Sequence, residues 1–416
     1  MLFGLARLKP SSLLKPQLTR LLSDAVKYTE KGIQLDGRDL LHIETRHMCR
    51  CEACFGKHAH SRLDLPLSGS LSPGIKVDEI GRMSEHYLGL KWSDGHEGLI
   101  ARTLRGDYGP NPIHSRMEKL QELTRRKNVE QKFWAEPDAE VSKLWDYSWV
   151  IKDVDNTREF LTHYMRYGIV FLTGIPAEEG MLDVVEEGLK MSPLRRTVFK
   201  TVDLVKYKPN PINSGYGADE LALHLDLSYF YQTPHVQFFH CVKNTVEGGE
   251  SFWVDSFSAI KEMSEKRPDL LEVLKTVPVT YRYTPPGTGI FQITHHCVVN
   301  MLGKDIWQTV DQPFNLDSAM FTRFTDTGTR EKFWEAYTYY RGLVEDPSRH
   351  YTKRLNSGEF VITDNWRVYH ARRMFKKTAP EQDRIVATSY MDWQIMVNRI
   401  LSPDKKNSIF LEIDQH

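Results

Sequence analysis

The triplet His224-Leu225-Asp226, followed at long range by His370 and then Arg384, constrains this chain more than any other feature. Two imidazoles and one carboxylate can occupy one face of an octahedral ferrous ion, leaving the other positions open to a chelating co-substrate and dioxygen. In "LALHLDLSYF" the first two ligands are i and i+2, so on an extended strand both side chains project to the same face. In "GEFVITDNWRVYH" Gly358 opens a strand-like run, Asp364-Asn365 reads as a turn, and Val368 to His370 returns as extended chain. His370 is thus expected on a distant strand of the same sheet, completing an oxygenase-type iron site.

The surrounding pattern supplies such sheets. "VQFFHCVKN", "ESFWVDSF", "VPVTYRYT", "EFVITD" and "RIVATSYMDW" read as strands, and "FLTHYMRYGIVFLTGI" as a helix that ends at Gly168 and leads into a buried strand. Helices are expected at "SAIKEMSEKRPDLLEVLK" and "REKFWEAYTYYRGLVED". Many non-local strands with a few covering helices imply a mainly β, double-sheet jelly-roll core with flanking helices. Within "RIVATSY", Arg384 and Tyr390 are spaced to share one strand face and point into the same cavity.

Before this core, residues of about 30 to 100 read as a small β-rich unit ("GIQLDG", "LLHIETRHM", "HYLGLKWSDGHEG"). A charged helix is expected over Arg116 to Trp134. The expected organisation is a leader at 1–24, a small domain at 25–115, a helical linker at 116–144, the catalytic domain at 145–402 and a tail at 403–416.

Three of the five cysteines crowd together as Cys49, Cys51 and Cys54, unlike the dispersed pattern of a disulfide framework. Thiolates so close favour tetrahedral zinc once a fourth ligand completes the shell. His96 is the candidate, with His47, His58, His60 and His86 competing on sequence alone. Cys241 and Cys297 read as buried apolar residues.

Lys plus Arg (55) balances Asp plus Glu (55), which gives no field to attract nucleic acid or an anionic membrane. No run approaches the roughly 18 to 20 apolar residues of a membrane span. The opening "MLFGLARLKPSSLLKPQLTRLLSDAV" is basic, contains serine and lacks acids before Asp24, the composition of a mitochondrial transit peptide; a frayed leader on a cytoplasmic protein is the alternative.

From about residue 30 to 402 the chain resembles the gamma-butyrobetaine hydroxylase and trimethyllysine hydroxylase family of iron- and 2-oxoglutarate-dependent oxygenases. The cysteine cluster with a distant histidine, "YGIVFLTG", "HLD", "VQFFHCVKNTVEGGESFWVDSF", "DNWRVYHARR" and "YMDWQIMVNRI" carry the resemblance in order. It implies a double-stranded β-helix core, iron on His224, Asp226 and His370, structural zinc on Cys49, Cys51, Cys54 and His96, ascorbate as reductant, and a homodimer. It places Arg384, helped by Ser251, on the distal carboxylate of 2-oxoglutarate, a contact suited to a guanidinium fork. The implied reaction couples oxidative decarboxylation of 2-oxoglutarate to succinate with hydroxylation of an unactivated carbon.

The resemblance also places a quaternary ammonium in a cage that includes Tyr216 and Tyr390, with Asn213 near the substrate carboxylate. Those residues and "YMDW" point to the butyrobetaine branch and carnitine as product; the transit-like leader favours trimethyllysine. The chain departs from the pattern at Phe199, where a cage tyrosine is expected, at Asp203, in register with a cage tryptophan, and at Leu227, which replaces a tyrosine. At Asp203 either the register shifts or a carboxylate partly replaces the ring. A non-catalytic relative that only binds a ligand is the third alternative.

Overall fold

The computed structural model describes residues 26–49, 51–55, 71–83, 87–101, 131–176, 180–209, 211, 213–285, 289–300 and 307–401. They fall into two units, one within Met1–Arg125 and one within Arg126–His416. The leader at 1–24, the tail at 403–416, His58, His60 and His86, and the expected helix as far as residue 130 lie outside the described residues. Among the described residues, no helix is long and apolar enough to cross a membrane.

The first unit is β-rich, as expected. One three-stranded antiparallel sheet holds Val26–Thr29, Gly32–Leu35 and Arg38–Leu41, and another holds Val77–Met83, Tyr87–Trp92 and Glu97–Ala101. Alternate residues Ile33 and Leu35, and Leu88, Leu90 and Trp92, are buried in one apolar cluster. The segment "LLHIETRHM" departs from the strand reading, because a helix begins at His42 and runs to His47. The Leu41 amide donates to Glu44 Oε2 at 2.8 Å, and Arg46 and His47 sit in the last turn where the helix dipole favours cations. These end effects outweigh the local alternation.

Among the described residues, the second unit contains two large antiparallel-dominated sheets and three two-stranded antiparallel pairs. Spatial order in the larger is Leu144–Asp146, Ile169–Thr173, Phe360–Asp364, Val236–Asn244, Arg384–Met391, Asp203–Lys206, and only its first pair is parallel. The smaller runs Leu221–His224, Val368–Arg372, Ser251–Asp255, Tyr351–Lys353. Their inner faces meet: Phe171 packs edge-on against Trp253 with ring centroids 5.2 Å apart, within a cluster that includes Val361, Cys241 and Val368. This is the expected jelly roll.

Period-two alternation divides the smaller sheet. Leu223, Phe252, Val254 and Tyr369 point outward into a core with Phe257, Ile260, Leu274, Phe333 and Tyr340, from helices Ser256–Lys266, Pro268–Thr276 and Thr327–Val344. Their neighbours His224, Trp253 and His370 line the interior. Pro268 divides the expected "SAIKEMSEKRPDLLEVLK" helix in two, opening the second piece where its missing N–H costs nothing.

The helix Val154–Tyr167 starts on Asp153, which accepts from the Asn156 amide, and stops at Gly168 with φ 75°. A Cβ there would lie 3.0 Å from Arg367 Cδ and Val368 Cγ2, so the position needs glycine on both counts. Residues 131–143, expected to continue a helical linker, are turns and irregular chain belonging to this unit. Trp134 is the reason: its amide donates to Asp255 Oδ2 at 2.9 Å and its indole to the Tyr167 carbonyl at 2.9 Å. Tertiary anchors override the helical pattern here.

Candidate active site

His224 ends its strand directly opposite His370, and the two rings lie 4.2 Å apart. Asp226 departs from the sequence reading. It lies two residues past His224 but outside the strand, and the chain turns sharply at Leu227, buried with φ 60°. A left-handed leucine costs about 1–2 kcal/mol. The surroundings hold it: the Asp226 amide donates to Asn365 Oδ1 at 2.8 Å, Asn365 Nδ2 donates back to the Asp226 carbonyl at 2.9 Å, and the Leu225 amide donates to the Asp311 carbonyl.

The three ligand atoms of His224, Asp226 and His370 lie within 4.8 Å of one another. Nδ1 of His224 donates to the Ala222 carbonyl at 2.7 Å, which leaves Nε2 as the lone-pair nitrogen facing Asp226 Oδ1 at 3.3 Å. The other carboxylate oxygen, Oδ2, accepts from Gln237 Nε2 at 2.6 Å and Tyr390 Oη at 2.7 Å. One oxygen is thus held by the protein and the other is left to face the imidazoles. Burial raises the Asp226 pKa, but the facing imidazoles of His224 and His370 and the hydrogen bond from Tyr390 outweigh it and hold the carboxyl well below the usual range. Burial, with His224 beside it, pushes His370 down to about 3, so it is neutral and able to ligate. The donor set and the fixed tautomer fit ferrous iron.

Arg384 and Tyr390 share a strand face as expected, and both line the cavity containing the two histidines. Arg384 is buried, donating to Ser251 Oγ at 3.2 Å and the Gly249 carbonyl at 3.3 Å. Burial, with Arg354 nearby, pushes it down to about 10. Two residues past His370, Arg372 is also buried and is lowered to about 10 by burial and by Arg384. Its guanidinium donates to the carbonyls of Gly215, Gly217 and Asp219, pinning the turn that carries Asn213 and Tyr216. Two buried guanidiniums bonded to neutral oxygens make that end of the cavity receptive to an anion.

Phe199, Asp203, Asn213, Tyr216 and Leu227 all line the same cavity, so every candidate around the iron site is brought together. Tyr390 is tied to Asp226 through its hydroxyl, and Asp203 faces the cavity itself. Sequence reasoning passed over Gln237, Asn365 and Arg372. Gln237 carried a signal, a fully buried amide within the apolar run "VQFF", since such a group requires a partner.

In the first unit, Cys49, Cys51 and Cys54 converge on His96, with Sγ to Nε2 distances of 3.3, 3.4 and 3.3 Å. A tetrahedral zinc with ordinary bond lengths sets roughly 3.5 Å between such ligands. His47 is not part of the cluster. Arg46 adds a hydrogen bond to Cys54 Sγ at 3.3 Å and pairs with Asp94 at 2.8 Å. A Cβ at Gly98 would stand 2.2 Å from Cys49 Sγ and 3.0 Å from His96 Nε2. Gly98→Ala is therefore expected to displace both ligands and strip zinc from the purified protein, as read by elemental analysis; full retention would refute this packing.

Residues 137–390 match the model of the family described as taurine catabolism dioxygenase TauD, TfdA family. Gamma-butyrobetaine dioxygenase of Homo sapiens is 24% identical over 386 residues, covering 89% of this chain and 96% of that protein. Dioxygenase str8 of Strobilurus tenacellus is 26% identical over 349 residues, covering 82% and 78%. Mitochondrial trimethyllysine dioxygenase of Mus musculus is 24% identical over 351 residues, covering 80% and 76%. With more than half of its length matched by the family model, the chain belongs to the TauD/TfdA family and is an iron(II)- and 2-oxoglutarate-dependent dioxygenase.

Proposed function

We propose that this enzyme hydroxylates gamma-butyrobetaine to carnitine while converting 2-oxoglutarate to succinate. The observation that carries the reading is one cavity with a buried arginine pair at one end and Tyr216, Asn213 and further aromatic rings along its wall, beside the two histidines and Asp226. Similarity to gamma-butyrobetaine dioxygenases along most of both chains supports it.

In this reading His224, Asp226 and His370 hold the iron, which when bound supplies oxygen activation and a point of attachment for the keto acid. Arg384 with Ser251 grips the distal carboxylate of 2-oxoglutarate, and Arg372 keeps the Asn213–Tyr216 turn against the cavity. Gln237 and Tyr390 fix the Asp226 carboxylate before any ligand arrives, so the geometry is not built at the moment of reaction. The apolar wall of Trp253, Leu355 and Phe239 excludes water from the reacting carbon. Cys49, Cys51, Cys54 and His96 hold zinc as a closed structural site.

Trimethyllysine is the second reading: a mitochondrial trimethyllysine dioxygenase matches most of this chain at the same identity as the butyrobetaine enzyme, and the opening segment has a transit-like composition. The test offers both compounds in parallel to protein supplied with ferrous iron, 2-oxoglutarate, ascorbate and oxygen, and follows products by mass spectrometry. Succinate plus a butyrobetaine product heavier by one oxygen atom is expected. An oxidised trimethyllysine alone transfers the assignment to the second reading, and succinate with neither product rejects both.

A further inference from the structure

One acidic side chain in the cavity holds neither the iron ligands nor the anion-binding arginines. Asp203 begins the edge strand Asp203–Lys206, opposite Thr388. That register turns Asp203 and Val205 toward the same cavity as Val386, Thr388 and Tyr390. Its Oδ2 accepts from Tyr216 Oη at 2.6 Å, whereas no described residue donates to Oδ1. Arg384 and Thr388 are four strand residues apart, roughly 13 Å. The strand thus separates an anion-receptive end from a cation-receptive end.

The rings near Asp203 are only partly available to a cation. Lys208 Nζ sits 3.7 Å over the Tyr216 ring, Tyr229 is stacked on Tyr283 at 4.9 Å, and the Tyr390 hydroxyl is committed to Asp226. A quaternary ammonium interacts through ring faces and net charge alone, because it has no N–H and its methyl groups hold nitrogen away from a carboxylate. A tertiary ammonium gives up one methyl contact and gains one charge-assisted hydrogen bond at roughly 2.8 Å, the stronger interaction beside the half-buried Asp203 carboxylate. We propose that this cavity also accepts, and prefers, a substrate with a protonated dimethylamino head, Asp203 Oδ1 accepting its single N–H while Phe199, Tyr216 and Tyr229 contact the methyl groups. The specificity determinant is a carboxylate set among rings. This rests on the butyrate-type substrate proposed above and extends it to 4-(dimethylamino)butyrate.

The experiment separates the head group from the chain. Trimethylammonium and tetramethylammonium ions differ at the nitrogen only by one N–H, and each is titrated into the metal-loaded protein and its Asp203→Asn variant by ligand-observed NMR. Wild type is expected to bind trimethylammonium about tenfold more tightly or better, and Asp203→Asn to bring the ratio near unity. Equal or tighter binding of tetramethylammonium by wild type, an unchanged ratio in the variant, or no binding of either ion overturns the proposal. In parallel, succinate release is measured with 4-(dimethylamino)butyrate and gamma-butyrobetaine. The expected ion order with no succinate from either butyrate leaves the Asp203 assignment standing and rejects the butyrate reading; higher kcat/KM for gamma-butyrobetaine overturns the preference.

Discussion

His224→Ala is expected to reduce substrate-dependent succinate release to background while zinc content stays unchanged. The variant removes the imidazole whose tautomer is fixed by Ala222 and leaves only Asp226 and His370 to hold iron. Two donors from a set of three do not retain a ferrous ion against water and buffer. Elemental analysis should show iron lost and zinc kept, because the zinc ligands belong to the other unit. Undiminished turnover in this variant would sink the iron assignment, and loss of both metals would indicate unfolding.

Arg367→Met is expected to cost roughly 3–5 kcal/mol of stability. Arg367 and Asp255 are both fully buried and form a bidentate pair, Nε to Oδ1 at 3.0 Å and Nη2 to Oδ2 at 2.8 Å. Arg367 also donates to the Arg166 and Lys132 carbonyls, and Asp255 caps the helix Ser256–Lys266 through the Phe257 amide. Removing the guanidinium leaves a carboxylate in the interior without its counter-ion. Adding Asp255→Asn should recover part of the loss, since the stranded charge goes with it. Urea unfolding of the single and double variants measures both, and a single-variant cost under about 1 kcal/mol would contradict the account.

The His224, Asp226 and His370 constellation was legible because its signals are short-range in kind even though its partners are distant. His-x-Asp spacing, the turn before His370 and the alternation from Arg384 to Tyr390 are all properties of single segments, and the strands in "VQFFHCVKN" and "EFVITD" follow from apolar runs between turn residues. Asp226 shows the limit. Extended geometry would have brought it beside His224, yet the chain achieves the juxtaposition by leaving the strand and turning at Leu227, which Asn365 makes tolerable. That clamp depends on a pairing across 139 residues and leaves no trace in local sequence. The helix at His42–His47 was missed because "LLHIETRHM" alternates like a strand while Glu44 and Arg46 supply the end effects. Trp134 was assigned to a helix because its two long-range hydrogen bonds are invisible to periodicity.

The Asn365 clamp also fixes a timetable. Cys49, Cys51 and Cys54 meet His96 across gaps of 42 to 47 residues, and all four have been translated by residue 96. Asp226 acquires its backbone clamp 139 residues later and its Tyr390 hydrogen bond 164 residues later. Closing longer loops costs more entropy and delays contacts that depend on them. On the ribosome, the Cys49, Cys51, Cys54 and His96 cluster can therefore assemble, and the zinc proposed for it bind, while most of the oxygenase core is still unmade. The nascent chain offers iron no complete ligand set until His370 has emerged.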